Sequence, residues 1–293
     1  MNSIFKILPL FSVLIFLMGM GSSCEGNKKS PQALTSEKED SNTKVKIDLI
    51  TKSKSIKYIG DSISIDGKDC YAQNDISLIW INEIGGNDIK TLQDSILSST
   101  FGNGETDVKK SIDKYLSSSD YENIQKTEEV NEVPKDAAPL HLSTTTISTQ
   151  LKALNDNYLV YHITNYHYYA GAAHGLQVDR YLNYSLKYND VLSFDKVFLP
   201  NVKDKIMEPI KQSLFSKYEV SNLKELGDKG INIEDLFVSH NFYLDSWGIT
   251  FVYSPYEIGC YAMGTIEVTV PITDLKYYLT SQVKEIYGSM LID

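Results

Sequence analysis

From residue 45 onward the apolar residues of this chain change period in blocks, and that limits the folds open to it. Val45-Lys46-Ile47-Asp48-Leu49-Ile50 alternates apolar with polar. Ile63-Ser64-Ile65 does the same ahead of the turn pair Asp66-Gly67, and Ile76-Ser77-Leu78-Ile79-Trp80-Ile81 reads as another strand. The period then lengthens. Ile89, Leu92, Ile96 and Leu97 have the spacing of an amphipathic helix over 88–101. Val108, Ile112, Tyr115 and Leu116 make a second helix after Gly102-Asn103-Gly104. Residues 117–140 are polar, with two prolines, and read as a weakly structured connector. Strands return at Leu159, Tyr161 and Ile163 and across the Tyr-rich stretch 176–188. A helix over 202–218 follows, with Ile206, Ile210 and Leu214 on one stripe and Pro209 expected to end or bend a turn. Strands at 241–246, 248–254 and 264–270 precede a last helix from about Asp274 to Tyr287. Strands in runs, broken by helix blocks rather than alternating with them, predict an α+β fold. It has antiparallel sheets with flanking helices, in two lobes, 45–143 and 144–293.

The first residues read as an address. Lys6 is followed by an almost unbroken apolar run, Ile7 to Met20, then by Gly21-Ser22-Ser23-Cys24. The run has the length of a signal-peptide core and is short for a membrane span. Small residues before a cysteine resemble the bacterial lipobox, although Gly21 stands where that pattern commonly has Leu. The resemblance implies a signal peptide over 1–23 and a lipid on Cys24. The other reading is a soluble secreted protein cut nearby. Residues 24–44 carry mixed charge with no apolar face and read as a disordered tether. The expected location is the bacterial cell envelope, held by lipid alone, on the outer membrane with a periplasmic or surface face.

The formal net charge is -10, which disfavours nucleic acid and anionic membranes as partners. A cationic partner would suit it, but acidity also serves solubility. Tyrosine is in excess, 20 against 10 Phe and 2 Trp. The surplus suits strands with a half-buried contact face, or plain core filling.

Two runs stand out for chemistry. The first is Tyr168-Tyr169-Ala170-Gly171-Ala172-Ala173-His174-Gly175, where small residues display His174 on a tight loop between two strands. His174 is either a contact or catalytic group or a brace for the connection. The second run is Pro255-Tyr256-Glu257-Ile258-Gly259, flanked by Tyr253 and Tyr261. Its rings suit a contact surface or loop packing, and Glu257 suits a cationic group or a local amide cap. Tyr169, Gly171, His174, Gly175, Tyr253, Tyr256, Glu257 and Tyr261 are therefore the candidate ligand contacts. In this order, with Asn241-Phe242, the runs resemble an extracytoplasmic domain family. That family is shared by the lysozyme-sensing anti-sigma factor for sigma-V and a peptidoglycan deacetylase, where it sits beside the catalytic domain. The resemblance covers the second lobe and implies a non-catalytic binding module. It implies a lysozyme-like protein or peptidoglycan as the ligand class. The alternatives are an envelope glycan hydrolase using His174 and Glu257, and a structural or assembly lipoprotein.

Catalytic signatures are missing from the sequence: no Gly-x-Ser-x-Gly elbow, His-Glu-x-x-His or P-loop is present. No catalytic residue, metal or cofactor is expected. His162 and His167, five apart on a strand, should face opposite sides. A metal site would need His167, His174 and Glu257 to converge. Cys70 and Cys260 remain after processing and are candidates for a disulfide outside the cytoplasm, or for two free thiols.

Overall fold

The computed structural model describes residues 44–59, 66–117 and 126–291. The expected signal peptide, Cys24, the tether up to residue 43 and the strand at 63–65 lie outside the described residues. Two long strands, β1 (Val45–Ile59) and β2 (Tyr71–Ile84), open the body. Helices α1 (Lys90–Phe101) and α2 (Val108–Ser117) follow. Next come β3 (Lys126–Val130), β4 (Leu142–Leu154), β5 (Tyr158–Tyr168), β6 (Leu176–Ser185) and β7 (Asp190–Val191). After α3 (Phe194–Val197), α4 (Lys203–Tyr218) and α5 (Leu223–Asp228) come β8 (Phe242–Leu244), β9 (Gly248–Tyr253) and β10 (Ile266–Pro271). The last helices are α6 (Ile272–Leu275) and α7 (Ser281–Tyr287).

The fold is α+β. A seven-stranded sheet has the order β3-β1-β2-β4-β5-β6-β7, and a three-stranded sheet the order β10-β9-β8. All neighbours pair antiparallel except β2 and β4, which run parallel with Tyr71 opposite Leu142. The lobe boundary expected at 143/144 falls inside β4, and the large sheet draws strands from both sides of it.

Strand β5 feeds two cores because successive residues face opposite sides. Leu159, Tyr161 and Ile163 pack with Leu92, Ile96, Ile112 and Leu116 under α1 and α2. Tyr158 and Val160 pack with α4, α7 and the small sheet, among Ile210, Phe251, Val268 and Val283. Two asparagine amides stitch the sheets together. Asn183 donates to the Phe242 carbonyl (2.8 Å) and accepts from the Leu244 amide (2.9 Å). Asn241 donates to the Asp179 carbonyl (2.7 Å) and accepts from the Tyr181 amide (3.2 Å). Each carries both hydrogen-bond types on one side chain, as bridging two backbone edges requires.

Three expectations change. Helix α4 continues through Pro209, because Ile206, Ile210 and Leu214 are fully buried and hold it against the core. The expected final helix is two pieces. Leu279 leaves helical geometry to bridge Phe198, with Leu199 N donating to Tyr278 O and Thr280 N to Val197 O. The connector over 117–140 contains β3, which pairs with the outer edge of β1 from Ser55 to Ile59. Among the described residues, no helix is long and apolar enough to cross a membrane.

Candidate functional site

The two runs meet. The β5–β6 loop turns through Gly171 at φ +77, a conformation L side chains rarely adopt. Gly171 N donates to Pro139 O, Ala170 N to the Ser143 hydroxyl (3.0 Å) and Ala172 N to Tyr169 O. Gly175 is buried against the Tyr166 ring, and a Cβ there would lie 2.3 Å from the Tyr166 hydroxyl oxygen. The loop is thereby pinned while His174 stays exposed.

The facing loop follows β9. Ser254 and Glu257 close a tight turn, and Tyr256 sits inside it at φ +74, a costly conformation for a bulky side chain. Ile258 anchors the turn in the core, and Gly259 bridges Ile231. Tyr261 then opens a short 3-10 helix, Tyr261–Met263.

Three rings converge across these loops. His174 stacks on Tyr261, with centroids 3.6 Å apart and an interplanar angle of 14°. The Tyr256 hydroxyl lies 3.2 Å from His174 Nε2, and the Tyr261 hydroxyl donates to Gly175 O at 2.8 Å. His174 Nδ1 lies 3.1 Å from the same carbonyl. A carbonyl only accepts, so Nδ1 carries the proton in that bond, and in the neutral ring Nε2 accepts from Tyr256. Among the described residues no carboxylate contacts this ring; its partners are the Gly175 carbonyl and the Tyr256 hydroxyl. The cluster is exposed on the Tyr256 side, where that ring is 60% accessible.

The other candidates separate from this cluster. Glu257 accepts from Ser254 N at 2.6 Å, so its carboxylate caps its own turn. Tyr253 is fully buried and donates to Phe237 O; it belongs to the core and offers no contact. Burial pushes its hydroxyl well above the usual tyrosine range. Exposed Tyr169 packs on His167 at 3.9 Å instead of joining His174. His162 and His167 do face opposite sides of β5, His162 towards Asp179 and His167 towards Thr145. His167, His174 and Glu257 thus keep separate partners and do not form the metal set considered above. The cysteines are free: Cys70 is buried 3.9 Å from His141 Nδ1, Cys260 is exposed, and no bridge joins them.

A buried polar network escaped the sequence reading. His162 Nε2 lies 2.8 Å from Asp179 Oδ1, and Thr164 donates to the same oxygen. Gln177 and Thr265 donate to Oδ2 at 3.0 Å each. Burial pushes the Asp179 carboxyl up, but the bonds from His162, Gln177 and Thr164 outweigh it and hold the carboxyl down at about 2. Next to it, Tyr181 and Tyr243 both donate to Glu267, and Lys152 lies over the Tyr243 ring. Burial first, then the Glu267 charge, raises both hydroxyls far above the ordinary tyrosine value. The network sits between the sheets and ties β5 and β6 to β10. A signal existed: His162 and Thr164, two apart, share a hairpin with Gln177 and Asp179, also two apart, and Thr164 lies directly opposite Asp179.

Residues 191–273 match the family described as "Protein of unknown function (DUF3298)". That segment holds Tyr256, Glu257 and Tyr261, while His174 precedes it. No curated protein matches. Two solved structures share the fold. A DUF3298 family member from Bacteroides fragilis is 22% identical, with a TM-score of 0.65, covering 84% of this chain and 97% of its own. A DUF3298 family protein from Pseudomonas aeruginosa is 12% identical, with a TM-score of 0.54, covering 82% and 96%. Residues 191–273 are therefore similar to the DUF3298 domain, and the α+β body shares its fold with those two proteins.

Proposed function

We propose that this protein is a cell-envelope lipoprotein whose body is a non-catalytic binding module for a lysozyme-like protein or for peptidoglycan. The observation that carries the reading is the His174–Tyr256–Tyr261 cluster. Two loops far apart in sequence are pinned by glycines and backbone bonds so that the Tyr256 ring and the His174 imidazole are exposed, with the half-buried Tyr261 ring stacked on His174. Aromatic groups on rigid loops form binding hot spots with little ordering cost. The resemblance of the same runs to the lysozyme-sensing module supplies the ligand class. The net charge of -10 suits a cationic protein. Lipidation of Cys24 rests on the apolar run and small residues before it. The hydrolase alternative has less support: Glu257 accepts from Ser254 N in its own turn, and among the described residues no acid contacts His174. A pull-down of the body, residues 44–293, on immobilised lysozyme and on purified peptidoglycan tests the reading. One of the two should retain it, and Tyr256→Ala should release it with a loss of about 1–2 kcal/mol. Retention by neither would leave a structural or assembly role.

A further inference from the structure

A cleft of about 360 Å³ opens on the helix-covered face of the large sheet, where α1 ends above β4, β5 and β6. Strand register explains its lining. Ile163, Asn165 and His167 share one face of β5, with Thr145 opposite His167 and Arg180 opposite Ile163. Deeper along this face the side chains are apolar and packed under α1. Where the helix stops, they turn polar.

Two polar atoms there have no partner. Thr100 is 5% accessible and its Oγ1 makes no hydrogen bond. His167 Nε2 is buried and also unpaired, while its Nδ1 lies 2.9 Å from the Thr145 hydroxyl. Native proteins seldom leave such groups unpaired, and each instance calls for an explanation. Because a hydroxyl can donate or accept, the Thr145 bond leaves His167 free to accept at Nε2. Burial holds this imidazole below its usual range, so the ring is an uncharged acceptor at neutral pH. Arg180, the chain's sole arginine, lines the same cleft, and among the described residues no carboxylate pairs with it.

The cleft is therefore polarised. Arg180 offers a planar cation fitted to a carboxylate. The same cleft is lined by the last turn of α1, Ser98 to Phe101, the negative end of a helix dipole, and by Thr100 and His167, which carry the two unpaired atoms. A multiply charged anion such as phosphate would meet that negative end. We propose that this cleft binds a small α-amino carboxylate, with its carboxylate on Arg180 and its ammonium against Thr100 Oγ1 and His167 Nε2. Its volume suits an amino acid or the end of a short peptide, near the lower limit of small-ligand pockets. The inference concerns the sheet face under α1 and does not depend on the envelope reading.

Calorimetric titration of the full chain with alanine, alanylalanine, lactate and inorganic phosphate tests it. Saturable binding of alanine identifies a free amino acid as the source, and binding of alanylalanine alone identifies a peptide end. Lactate, lacking the ammonium, and phosphate should bind at least about tenfold more weakly, as expected when one charged anchor is lost. Arg180→Gln, at an exposed position, and Thr100→Val should each weaken the binding by a similar factor. Thr100→Val should not lower the melting temperature, because it removes a hydroxyl that satisfies nothing in the free protein. No saturable heat with alanine or alanylalanine at millimolar concentration would overturn the proposal. So would equal binding of lactate or phosphate, or unchanged binding by both variants.

Discussion

Asp179 shows how one residue sets the acid stability of the body. Its folded carboxyl lies at about 2, below the unfolded value of 3.8. A depressed acid stabilises the fold above its unfolded value, and that contribution fades as pH falls through the folded one. The window is therefore roughly pH 5 to 2, and the contribution, discounted for partial solvent screening, is about 1–2 kcal/mol. Asp179→Asn should lose about that much at neutral pH and flatten the acid limb in urea titrations between those values. An unchanged acid limb would mean that the carboxylate is not held by His162, Gln177 and Thr164. Glycines make a second test at this scale. A Cβ on Gly248 would lie 2.3 Å from the Val270 carbonyl oxygen, in the backbone of the paired strand β10. For a Cβ on Gly175 the nearest atoms all belong to the Tyr166 side chain, whose far end can swing. Gly248→Ala should cost about 3 kcal/mol in denaturant unfolding, and Gly175→Ala about 1 kcal/mol. The reverse order would contradict this packing.

At the scale of elements, period was legible and pairing was not. Leu92 and Ile96 under α1, and Gly102 in the left-handed cap at its end (φ +62), follow from spacing and a glycine in the expected place. Strand β3 was hidden because Lys126-Thr127-Glu128-Glu129-Val130 has no apolar alternation; it is a strand only because the edge of β1 accepts it. The interruption between α6 and α7 was hidden for a like reason: Leu279 meets Phe198, some eighty residues earlier. Pro209 lies inside α4, where it removes the amide that would reach Lys205 O. Packing of Ile206 and Ile210 overrides that cost without removing it. Pro209→Ala should therefore raise stability by about 1–3 kcal/mol in thermal or denaturant unfolding. A loss of stability would show that the proline ring, itself half-buried, packs better than the restored bond.

For the whole molecule, sequence singled out both loops of the candidate site but could not join them, since His174 and Tyr256 are 82 residues apart. Nor could it tell Tyr253, fully buried, from Tyr256, mostly exposed, because strand β9 ends between them and only the fold decides which side each ring takes. Under the proposed reading the joined site is a platform for a partner, and the net charge of -10 suits a cationic one. The most direct measurement is calorimetric titration of the protein with lysozyme at low and at physiological salt. The account predicts saturable binding that weakens as salt rises, and a loss of about 1–2 kcal/mol for Tyr256→Ala with the fold intact. Saturable binding that neither salt nor Tyr256→Ala alters would contradict it, and so would no binding to lysozyme or to peptidoglycan.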